Sequence, residues 1–193
     1  MEQANTTFGQ FVTLYPLITE QSVTNTIDSL NSADKPQRIF GEDVPDNLNL
    51  ITFGTYSDLC DDLSEQDHIK LIYRVCATLF GASKDKVNNE SAIDIWGLCI
   101  WVGKEIDRIN KLFSSIKMDY TEQERKAGIE QMQFGTFGIL DWYARRMGIH
   151  DQNEVNSEKW VRLYQCMKND MEEAKFQRRL QKVYENESKA RRN

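Results

Sequence analysis

Three aspartates, Asp58, Asp61 and Asp62, stand at i, i+3 and i+4, so on a helix they share one face and could together hold a hard cation. Carboxylates on adjacent helical turns, without loop carbonyls, make a poor calcium site, and no EF-hand pattern surrounds them. A solvated acidic face, or a patch for a basic partner, is the expected use. His68 and His150 are the two histidines; neither has a Cys, Asp or Glu at metal-ligand spacing in a recognised motif, and no HExxH occurs. Cys60, Cys76, Cys99 and Cys166 are scattered, contain no CxxC pair, and are expected to be reduced and mostly buried, as in an intracellular protein. Neither a GxSxG elbow nor a P-loop occurs, and Gly135 and Gly138 follow no strand. The sequence therefore carries no sign of an enzyme, a metal site or a cofactor.

The basic residues are more concentrated than the acidic triad. Lys175, Arg178, Arg179 and Lys182 fall on one helical face, and Arg191 and Arg192 follow them. Residues 175–193 hold seven bases and two acids, whereas residues 1–67 hold twelve acids and two bases, within a net charge of −6 for the chain. Such opposed ends can pair within one chain or between copies. The basic set could also neutralise phosphates, although few aromatics lie beside it to stack on bases, Phe176 and Tyr184 being the nearest.

A recurrent phrase sets the elements that must position these groups. It reads Thr7-Phe8-Gly9-Gln10-Phe11, then Thr52-Phe53-Gly54-Thr55-Tyr56, then Gln133-Phe134-Gly135-Thr136-Phe137. Thr before an apolar pair is a helix N-cap signal, and Thr7 with Gln10 has capping-box spacing. The two aromatics of each copy lie three apart on one face, and the glycine lets another backbone come close. The second and third copies belong to the helical body, so Phe53, Tyr56, Phe134 and Phe137 are expected in the core. The first stands in an irregular region, which makes Phe8 and Phe11 the candidates for docking on a partner.

A short helix is expected over 22–30, from Val23, Ile27 and Leu30, followed by a loop-like stretch with Arg38-Ile39-Phe40 extended. Helices are then expected over 52–63, from the Ser64/Asp67 cap to Gly81, over 90–113, from Thr121 toward Met132, from the third phrase to near Gly148, and from Asp151 through the basic end. The helix over 90–113 carries Ile95, Leu98, Val102, Ile106, Ile109 and Phe113, with Trp96, Ile100 and Trp101 widening the stripe, as a buried central helix should. In the last helix the stripe Trp160, Tyr164, Met167, Met171, Ala174 shifts to Phe176, Leu180 and Val183, so its halves are expected to pack against different things. The expected fold is an all-α, compact multi-helix bundle of about six to eight helices. An irregular arm over 1–50, a helical body over 51–174 and a basic helix end over 175–193 divide it. The run without charge or strong polarity from Trp96 to Gly103 is far short of a membrane span, and no secretory signal is visible at the start of the chain.

Thr6-Thr7-Phe8-Gly9-Gln10-Phe11, the run from Ile51 to Leu59 beginning Ile51-Thr52-Phe53-Gly54, and Leu140-Asp141-Trp142-Tyr143-Ala144-Arg145-Arg146-Met147-Gly148 give the chain a resemblance to small helical proteins of tailed bacteriophages. These are tail-assembly chaperones, head–tail connector or ring components, and small packaged virion proteins. The resemblance is one of style over roughly residues 50–185, and it carries over no site residues. It implies a non-enzymatic assembly or structural role in the virion or host cytoplasm, with other virion proteins or further copies as partners. The alternative is a nucleic-acid-binding regulator acting through the basic end.

Overall fold

The computed structural model describes residues 6–14, 33–117, 120–132 and 135–191, and the helix expected over 22–30, Phe134 and Arg192 lie outside them. The described chain is all-α apart from one small hairpin. Its helices are α1 (Phe8–Leu14), α2 (Phe53–Leu63), α3 (His68–Phe80), α4 (Lys84–Asn88), α5 (Ala92–Ser115), α6 (Glu122–Lys126), α7 (Gly135–Met147), α8 (Gln152–Val155) and α9 (Trp160–Ala190). The hairpin pairs β1 (Arg38–Ile39) with β2 (Glu42–Asp43), Ile39 opposite Glu42. Two compact units divide the chain, Met1–Ile109 and Asn110–Asn193, so the boundary falls within α5.

Local chemistry accounts for most of the helix limits. Thr7 and Gln10 exchange the two expected capping hydrogen bonds, at 3.0 and 3.4 Å. Thr52 accepts from the Thr55 amide, and Thr121 with Glu124 makes a complete capping box. Gly81 ends α3 in the left-handed region, at φ 58°, where a Cβ would be strained. Three expectations are corrected. Asp67, not Ser64, caps α3, because its carboxylate reaches the amides of Ile69 and Lys70, while Ser64 closes α2. The helix from Thr121 stops at Lys126, where Ala127 and Gly128 turn the chain into a 3₁₀ turn over Ile129–Gln131. Asp151 caps only the four-residue α8, and the last long helix starts afresh at Trp160.

In the first unit the supposed arm is core. Phe8 and Phe11 are buried, Phe8 edge-on to Tyr73 at 5.7 Å and Phe11 edge-on to Trp96 at 6.3 Å. The α1 start is bridged to the head of α5, with the Phe8 amide donating to the Glu90 carbonyl at 2.8 Å and the Ala92 amide to that of Thr6 at 2.9 Å. Gly9 lies tightly against Asn88, since a Cβ there would meet the Asn88 Cβ at 3.0 Å and its carbonyl oxygen at 3.1 Å. Phe8 and Phe11 are therefore not a free docking element, because the phrase needs the core to shelter its aromatics as much as its helix cap needs the Thr. Phe53 and Tyr56 are buried as expected. Phe137 is not: it is 64% exposed. The phrase sets a helix start, and the surroundings set its burial.

Residues 33–50 have little regular structure, yet Ile39, Phe40, Val44 and Leu48 are buried. The segment runs along α5. A Cβ on Gly97 would collide with the Asp34 carbonyl, Lys35 sits over the Trp101 ring at 5.3 Å, and Glu105 accepts from the Leu48 amide at 2.9 Å. Arg108 completes the line, donating to Glu105 and, at 2.8 Å, to the Asn49 side chain. Glu90 likewise accepts from the Phe40 amide at 3.0 Å. Carboxylates thus serve as partners for the two amides, of Phe40 and Leu48, that lie outside the hairpin ladder.

The second unit has a smaller core of Tyr143, Ala144, Val155, Trp160 and Leu163. Phe113, Trp160 and Tyr164 form an aromatic group with ring centroids 5.8–6.4 Å apart. Arg146 on α7 reaches Asp170 on α9 at 3.0 Å, and Gln152 on α8 reaches Asp141 on α7 at 3.0 Å.

Two outcomes check this packing. Phe8→Ala should cost about 3–5 kcal/mol in denaturant unfolding of the first unit, as for a buried aromatic, whereas Phe137→Ala should leave stability within about 0.5 kcal/mol. The Arg108 guanidinium, with the Leu48 amide, holds the Glu105 carboxyl below the usual range. A carboxyl depressed in the folded state adds stability above its unfolded value and loses it as pH falls. Stability should therefore drop below about pH 4.3, and Glu105→Gln should remove that part of the slope in a pH series of melts.

Candidate functional site

The basic end of α9 brings exposed cations and exposed apolar side chains together on one helix. α9 is 31 residues long, and its first half is anchored by the buried Trp160 and Leu163. From residue 181 to 191 every residue is exposed. The amphipathic pattern explains the change, since the spacing that buries Trp160 and Leu163 is not continued past Ala174.

The bases at the junction divide by use. Arg178 reaches the Glu124 carboxylate on α6 at 2.7 Å, and Lys175 stands 3.4 Å from Glu172. Arg179 and Lys182 are exposed and make no ion pair among the described residues. Arg191 caps the helix and is exposed, and its charge suits the negative end of the helix dipole. Thr121, Glu124, Lys175, Arg178, Arg179 and Lys182 line a groove of about 680 Å³ between α6 and α9. Glu124 is held below the usual carboxylate range first by the Thr121 amide and hydroxyl, and also by Arg178. Beside these charges Phe176, Val183 and Tyr184 are 51%, 50% and 61% exposed, and Leu180 is half-buried. The stripe expected to meet a second packing partner is thus largely open.

The acidic triad separates. Asp58 and Asp61 are exposed on α2, but Asp62 is buried, accepting from Arg74 Nε at 2.7 Å and from the Thr78 hydroxyl at 2.6 Å. Asp62 ties α2 to α3 and is unavailable to a partner, because a buried carboxylate must keep its donors. No group of three or more His, Cys, Asp or Glu side chains among the described residues is placed to hold a metal ion. His68 and His150 are exposed; Cys76 is buried, and Cys60, Cys99 and Cys166 are half-buried. No described helix is long and apolar enough to cross a membrane.

Sequence reasoning did not single out Tyr143, whose side chain is buried and whose hydroxyl finds no hydrogen-bond partner in the described protein. Burial pushes its pKa up. No linear signal marks it, since its environment comes from α7 and α9 together. Tyr143→Phe should leave the melting temperature of the second unit unchanged or raise stability by about 1 kcal/mol, because the hydroxyl is desolvated without return. A loss of more than about 1 kcal/mol by thermal unfolding would instead reveal a partner for it.

Compared with family models, with curated proteins and with solved structures, the chain matches none.

Proposed function

We propose that the chain is a non-enzymatic assembly protein of the tailed-bacteriophage kind, working in the virion or host cytoplasm by binding other protein surfaces with the basic end of α9. One observation carries this: a helix end exposed over residues 181–191 that leaves Arg179 and Lys182 without ion pairs among the described residues, beside an open apolar stripe. Cations of this kind, flanking apolar side chains, suit an acidic and apolar protein surface. The groove-lining Lys175 and Arg178 stiffen the base of the element through Glu172 and Glu124, so the projecting part starts from a fixed root.

Nucleic-acid binding is the second reading, favoured by the exposed Tyr184 and Phe176 beside the same cations, which could stack on bases. The two differ in what they bind and in how steeply salt weakens it.

The test is co-expression with the products of adjacent genes, followed by native mass measurement and identification of every co-purified chain. The full chain should carry at least one neighbouring product, and the variant Arg179→Ala with Lys182→Ala should lose it while keeping its circular dichroism and melting curve. Fluorescence anisotropy against labelled duplex and single-stranded DNA should show no binding. Salt-sensitive binding there, abolished in the same variant, would replace the assembly role with the second reading.

A further inference from the structure

We propose that the basic apolar face of the α9 end docks on the acidic first unit of a second copy of this chain, an inference that rests on the assembly role above and names its partner. Phe176, Leu180 and Val183 recur at spacings of four and three, so they form one stripe along the helix. Arg179 and Lys182 stand beside it without ion pairs.

Charge complementarity selects the occupant. Residues 1–109 hold seventeen acids and eight bases, a net of −9, whereas residues 110–193 hold thirteen acids and sixteen bases, a net of +3. The excess of negative charge is presented where a helix can meet it: Asp58 and Asp61 are exposed on α2 and make no ion pair among the described residues. Leu50, three residues before α2, is 74% exposed in the same unit. The apolar stripe supplies area, and the charges supply register and salt dependence. Since the two surfaces differ, the contact is heterologous, and each copy keeps one of each for the next.

The test is sedimentation velocity of the full chain at about 0.05 M and about 0.5 M salt, where screening lengths differ several-fold. Wild type should form species larger than a monomer at low salt and dissociate at high salt. Arg179→Glu with Lys182→Glu, and separately Asp58→Lys with Asp61→Lys, should each be monomeric at low salt. An equimolar mixture of the two variants should associate again, since each then meets an opposite charge. Asp62 is left intact in both because it is buried against Arg74. Phe176→Ser with Val183→Ser should weaken association about tenfold or more, and it decides the matter should a charge variant melt early. A wild type that is monomeric at every concentration, or a mixture that stays monomeric, overturns the proposal. A monomer that still carries a neighbouring gene product overturns only the choice of partner. Loss of both overturns the assembly role as well, and salt-sensitive DNA binding through Arg179 and Lys182 assigns the face to nucleic acid instead.

Discussion

The first unit depends on how closely an irregular stretch of backbone can lie on α5. At Gly97 the Asp34 carbonyl occupies the space that any side chain would need. Once that approach is made, the polar groups of the segment lose water and must find partners. Glu90 and Glu105 provide them by accepting the amides of Phe40 and Leu48. The hairpin between them turns at Phe40 and Gly41, both at positive φ, 54° and 83°, as a two-residue turn requires. A phenylalanine bears that strain because its ring is buried against Phe80, 5.7 Å between centroids, and its amide is held by Glu90.

The same dependence gives the repeated phrase two fates. Its cap and its glycine act locally and work wherever they stand. Its aromatics need a second surface. In the first copy that surface is Tyr73 and Trp96, and in the second it is the core under α2. In the third copy Phe137 finds none within its own unit and stays exposed.

The second unit is held differently. Its core is small, and side-chain pairs between α6, α7, α8 and α9 add to it: Arg178 with Glu124, Arg146 with Asp170, Gln152 with Asp141. Exposed pairs of this kind are individually weak, so the aromatic group at Trp160 and the burial of Leu163 must do most of the stabilising. α9 is accordingly fixed at its start and open at its end. The contrast is what supports the proposed role of its basic end, where exposed aromatics stand beside cations that make no ion pair among the described residues.

The sequence by itself determined what depends on neighbours along the chain. The all-α class, the caps at Thr7, Thr52 and Thr121, the stop at Gly81, the apolar stripe of α5 and the change of pattern after Ala174 all follow from i, i+3 and i+4 relations, and all are present. Only the tertiary structure decided what depends on distant neighbours. It buried Phe8 and Phe11, exposed Phe137, took Asp62 from the acidic triad to pair with Arg74, and made residues 33–50 core without giving them regular structure. Those outcomes turn on which surface arrives opposite each residue, and that is fixed by packing between separate elements, twelve positions apart for Asp62 and Arg74 and fifty for Phe40 and Glu90, beyond the reach of local spacing.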